Sequence, residues 1–65
     1  MMHFKVEGMS CQHCVNAVNK AIQSGIPGAV VKVDLASGVV TVDNADNPEL
    51  IRRLITEAGY QVVAG

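Results

Sequence analysis

Sixty-five residues, 49% of them hydrophobic, make one small domain over residues 1–65, since a single core is already hard to sustain at this size. Five Lys and Arg against six Asp and Glu give a formal net charge of −1, which offers no basic footprint for nucleic acid. No apolar run approaches the roughly 20 residues that cross a bilayer, so membrane insertion is not expected and the chain reads as soluble.

The start, Met1 to Glu7, lacks the basic segment, apolar stretch and small-residue cleavage site of a secretory signal. A cytoplasmic location is therefore expected. Met1 and Gly65 read as the ends of a free-standing chain rather than of a domain cut from a transporter. From His3 to Glu7, Phe4 and Val6 alternate with His3, Lys5 and Glu7, the period of a half-buried strand. From Gln12 to Ser24 the apolar positions Val15, Val18, Ala21 and Ile22 recur at helical spacing, opposite Asn16, Asn19, Lys20 and Gln23. Gly25 and Pro27-Gly28 are expected to stop that helix.

Ala29 to Leu35 alternates again, with Val31, Val33 and Leu35 on one side. Ala36-Ser37-Gly38 then supplies a short turn into a β-branched strand from Val39 to Asp43, which predicts a hairpin. Asn47-Pro48-Glu49 joins a favoured N-cap, a proline suited to the first helical position and an acid beside the positive helix end. Leu50, Ile51, Leu54, Ile55 and Ala58 form the stripe of this second helix, Gly59 fits a left-handed position after it, and Tyr60 to Val63 makes a last strand. The order βαββαβ predicts an α+β, ferredoxin-like fold: a four-stranded antiparallel sheet with two helices on one face.

The stretch richest in chemistry is Gly8-Met9-Ser10-Cys11-Gln12-His13-Cys14, between the first strand and the first helix. Two cysteines three positions apart close too short a loop to staple a domain. Cys11 falls at the helix start and Cys14 in its first turn, where free backbone N–H groups and the helix dipole favour thiolates. A pair of thiolates suits a soft, low-coordination cation, Cu(I) above Mg, Ca or Mn. Structural zinc wants four ligands, and only His3 and His13 stand as further candidates; Hg(II) or zinc transport on the same scaffold remains an alternative. A thioredoxin-like dithiol enzyme would need a longer chain, so no enzymatic activity is expected.

Three neighbours carry open readings. Met9 is expected to pack beneath the loop, with thioether ligation the alternative. His13 is a tuner of the thiolates, an exposed polar residue or a ligand. Tyr60 either caps the apolar layer or stands beside the sulfurs.

This Met-x-Cys-x-x-Cys pattern, together with the βαββαβ order, resembles the heavy-metal-associated domain family, and the length resembles bacterial copper chaperones of the CopZ type. The resemblance implies that Cys11 and Cys14 ligate Cu(I). It implies delivery of the ion by thiolate exchange to the metal-binding domain of a copper-transporting P-type ATPase, and it leaves open a copper-bridged homodimer. Tyr60 matches a loop position at which bacterial members often carry Tyr.

Overall fold

The computed structural model describes residues 1–64; Gly65, the end of the expected domain, lies outside them. Its elements are β1 (Met2–Glu7), α1 (Gln12–Gly25), β2 (Val30–Asp34), β3 (Val39–Asp43), α2 (Pro48–Glu57) and β4 (Gln61–Ala64). The strands form one antiparallel sheet in the order β2-β3-β1-β4. Register follows side-chain character: Phe4 stands opposite Val40 and Met2 opposite Val42, so the apolar positions of neighbouring strands share a face. Both helices pack on that face, as the element order predicts.

The core is what the two periodicities bring together. Phe4, Val6, Val40 and Val42 from the sheet meet Val18 and Ile22 from α1 and Ile51 and Ile55 from α2, each 3% exposed or less. Burial of each such side chain contributes about 1.5–3 kcal/mol. The N-cap of α2 works as its sequence suggests: the Asn47 side chain accepts from the Leu50 N–H at 3.2 Å, and Pro48 opens the first turn. No helix among the described residues is long and apolar enough to cross a membrane.

The boundaries differ from the sequence reading in several places, among them the start of β2, at Val30 instead of Ala29, and the end of β4, at Ala64 instead of Val63. β1 begins at Met2, paired with Val42. α1 runs through Gly25, because the Ile26 N–H still reaches the Ile22 carbonyl at 2.8 Å and the chain turns only at Pro27. β2 ends at Asp34, so Leu35 leaves the Val31 and Val33 side and is 38% exposed in the turn. The cause is local: the Asp34 carboxylate accepts from the Ala36 N–H at 3.0 Å and its carbonyl from the Gly38 N–H at 2.8 Å, which curls the chain before another strand residue can pair. β4 begins at Gln61, leaving Tyr60 in the preceding loop. The β1–β4 register also shifts between Lys5 and Val6, two residue pairs before the chain enters the cysteine loop.

Candidate metal site

At the C-terminal end of β1 the chain must leave the sheet and enter α1 within a few residues. Gly8 takes φ +97° there, and a Cβ on it would stand 3.5 Å from the Tyr60 ring. Cys11 is the N-cap residue of α1, with extended backbone at φ −160°, and its side chain makes no capping hydrogen bond. Its carbonyl starts the helix, accepting from the N–H groups of Cys14 at 3.0 Å and Val15 at 3.2 Å. Cys14 consequently lies one turn along, on the same side as Cys11. The Cys11 thiol points at the Cys14 sulfur at 3.8 Å. Both cysteines are free, Cys11 exposed and Cys14 half-buried.

The surroundings favour a charged sulfur at Cys14. Its pKa falls from 9.0 to about 6, chiefly through a hydrogen bond from the Ser10 backbone. The Tyr60 hydroxyl adds a second hydrogen bond; partial loss of solvent works the other way, and the Cys11 thiol and Ser10 hydroxyl donate further bonds. No acidic residue occupies the first turn of α1, so the positive end of its dipole is not neutralised from within the helix. The Tyr60 hydroxyl is correspondingly held above its ordinary pKa by the hydrogen bond it gives Cys14, then by lost solvation and the negative charge of the two sulfurs.

Tyr60 reaches this position because of the turn after α2. Gly59 adopts φ +100°, a conformation costly for a residue with a Cβ, and the Tyr60 N–H returns to the Ile55 carbonyl at 3.3 Å. The ring packs against the core, and its hydroxyl helps to lower the pKa of Cys14. Met9 is half-buried and packs on the same core. His13 is exposed and lines a shallow depression along the outer face of α1 with Asn16, Ala17, Asn19, Lys20 and Gln23. His3 lies on the outer sheet face, where its Nδ1 is 3.1 Å from the Thr41 hydroxyl. Ser10 and Gly8 went unread as contributors to the site. The bond from Ser10 comes mainly from its backbone, which carries no residue signature, whereas its hydroxyl and the position of Gly8 beside the motif were the available hints.

The heavy-metal-associated domain profile matches residues 3–61. The chain belongs to the heavy-metal-associated domain family. Among relatives, a copper chaperone CopZ of Staphylococcus haemolyticus (strain JCSC1435) is 42% identical over 62 residues, covering 88% of each chain. The solved copper chaperone Atx1 from Synechocystis PCC6803 (Cu2 form) superimposes with a TM-score of 0.90 at 37% identity, over 95% of this chain and 98% of that one. A cation-transporting ATPase HMA5 of Oryza sativa subsp. japonica carries a similar segment, 36% identical over 61 residues; it covers 89% of this chain and 6% of the ATPase. Heavy-metal-associated domains thus occur both as short chains of this length and as small parts of a much longer transporter.

Proposed function

We propose that the chain is a copper chaperone of the cytoplasm, acting as one domain. Cys11 and Cys14 of the Met-x-Cys-x-x-Cys loop bind Cu(I), and the ion passes by thiolate exchange to the metal-binding domain of a copper-transporting P-type ATPase, without turnover of a substrate. The observation that carries the reading is the pair of sulfurs 3.8 Å apart at an exposed helix start. Among the described residues no group of three or more His, Cys, Asp and Glu side chains gathers to hold an ion. Two soft donors suit Cu(I), whereas a closed zinc site draws on four. The CopZ and Atx1 relatives are copper chaperones by name, and the rice ATPase supports an acceptor built on the same domain.

The spacing also bears on delivery. Two thiolates would leave the ion open to a further ligand, because Cys11 and Cys14 stand 3.8 Å apart with Cys11 exposed at the helix start. An incoming thiolate from the acceptor can bind before Cys11 or Cys14 lets go, so the free ion is never released. A second copy can supply that thiolate too, which gives a copper-bridged homodimer by the same chemistry. Tyr60 beside Cys14 and Met9 beneath the loop hold the sulfurs in place, and His13 stays outside the coordination sphere.

Anaerobic Cu(I) titration against a strong Cu(I) chelator tests the assignment, with the Cys11→Ser/Cys14→Ser double variant as control. Tight binding by the wild type, its loss in a variant that remains folded, and stopped-flow transfer to a cysteine-pair domain faster than release to the chelator are expected. Equal affinity in the double variant would overturn the assignment, and transfer no faster than release would overturn the exchange mechanism.

A further inference from the structure

The end of β1 remote from the cysteine loop carries a second set of donors, all of them nitrogen. The Met1 α-amino nitrogen stands 4.0 Å from an Asp43 carboxylate oxygen. His3 is exposed on the outer sheet face, its Nδ1 3.1 Å from the Thr41 hydroxyl. β4 pairs with β1 only from Lys5 to Glu7, so Met2 and His3 are held from one side, by Val42 and Thr41 of β3. The first fully buried residue of β1 is Phe4, opposite Val40. Met1 to His3 is therefore the stretch of the strand that leaves the sheet at least cost. What it gives up is its pairing with β3 and the contact of half-buried Met2 with the core.

An α-amine with histidine as the third residue is a chelate built into the covalent chain. The amine, the amide nitrogens of the second and third residues and the imidazole Nδ1 are successive donors, and each neighbouring pair closes a small ring on one ion. An all-nitrogen plane of this kind matches the square-planar preference of Cu(II), which stands above Ni(II) in the order of divalent affinities. It offers no thiolate, so it does not compete with the cysteines for a soft ion. In a strand, successive N–H groups point to opposite edges, so both amides reach one ion only when Met2 leaves the extended conformation.

We propose that the amino terminus of this 65-residue chain binds Cu(II) through the Met1 amine, the Met2 and His3 amide nitrogens and the His3 imidazole, and that binding draws these residues off β3. The ammonium gives up one proton and each amide another, all to solvent, and the ion takes their places. Asp43 loses its ion-pair partner and Thr41 its contact with His3. A peptide bond at the Met1 nitrogen would remove the anchoring amine, so the site belongs to the chain that starts at Met1 and to no longer form. It does not rest on the assignment of the cysteines.

The test titrates Cu(II) sulfate near neutral pH into the full-length Cys11→Ser/Cys14→Ser variant, which has no thiol to reduce the ion, and in parallel into wild type with both thiols alkylated. One equivalent should bind in each, with the visible absorption and electron paramagnetic resonance of square-planar nitrogen ligation. Amide resonances of Met2, His3, Thr41 and Val42 should shift or broaden while those of Val18 and Ile55 hold. Adding His3→Ala, or placing two residues ahead of Met1, should each weaken binding by more than about a hundredfold, since a donor tethered to the others is lost. His13→Ala should leave it unchanged. Equal Cu(II) affinity with His3→Ala or with the extended terminus would overturn the proposal, as would no binding in either sample; bound Cu(II) with the Met2 and His3 amides undisturbed would do the same.

Discussion

The acidity of Cys14 can be isolated by a Cys11→Ser variant, in which Cys14 is the one remaining thiol and keeps its hydrogen bonds from Ser10 and Tyr60. At pH 7 a thiol with a pKa of about 6 is about nine-tenths thiolate, against about one part in a hundred at the ordinary 9.0. The rate gain is smaller than that ratio suggests, because nucleophilicity falls with basicity at a Brønsted slope of about 0.4–0.5. Across this difference in acidity the loss is roughly twentyfold, leaving a net advantage of about fourfold at pH 7. The midpoint of the pH profile is thus the sharper quantity. Iodoacetamide alkylation followed by mass spectrometry between pH 4 and 10 should give a midpoint near 6, moved upward by Tyr60→Phe. A midpoint near the ordinary 9.0, or one indifferent to Tyr60→Phe, would refute the hydrogen-bond account. The same group contributes to stability with a definite sign. Between about 6 and 9.0 the unfolded chain binds the Cys14 proton and the folded chain does not, so this contribution grows with pH across that window. It is fully present above 9.0 and lost as the pH falls through about 6. Copper affinity should lose its Cys14 contribution most steeply below about pH 6, where protons compete for the sulfur.

Gly59→Ala adds a Cβ that meets nothing within 4 Å, so its cost is the left-handed backbone alone, about 1–2 kcal/mol, and thermal melting should fall by about 4–8 °C per kcal/mol. Asn47→Ala removes the cap on Leu50 and should cost about 1 kcal/mol in urea unfolding, with copper stoichiometry unchanged. Met9→Ser replaces a packed thioether by a hydroxyl and should lower stability by about 1–3 kcal/mol while a chelator competition shows copper still bound; full stability with sharply weaker binding would make Met9 a ligand. His13→Ala should leave stoichiometry and the copper X-ray absorption spectrum unchanged, since its side chain lies along the outer face of α1; loss of an imidazole signal would contradict that.

The elements were legible because their periods are clean. Phe4 and Val6 announce a strand and Val15, Val18 and Ile22 a helix, and the same residues became the core. The antiparallel sheet with both helices on one face followed from the βαββαβ order rather than from any single residue. Leu35 was misread because alternation continued through it, while the carboxylate of Asp34 had already captured the Ala36 N–H and turned the chain. Cys11 and Cys14 declared themselves by residue type and spacing, but their setting did not. The contribution of Ser10 comes mainly from a backbone N–H, invisible in a one-letter code, and the reach of Tyr60 depends on the backbone angle of Gly59. Side-chain patterns expose what packs; main-chain donors and turn angles emerge only once the chain has folded.

The sheet order leaves β2 and β4 as its outer rails, each with unpaired main-chain groups that could in principle zip onto another sheet. Both are poor templates. β4 is four residues long and meets β1 across a register shift, and β2 is five residues long with exposed Lys32 at its middle and Asp34 at its end. Short, charged and irregular edges discourage strand-to-strand recruitment. A chain with such edges is kept from polymerising through its backbone, and its encounters with other proteins are left to side chains that can let go.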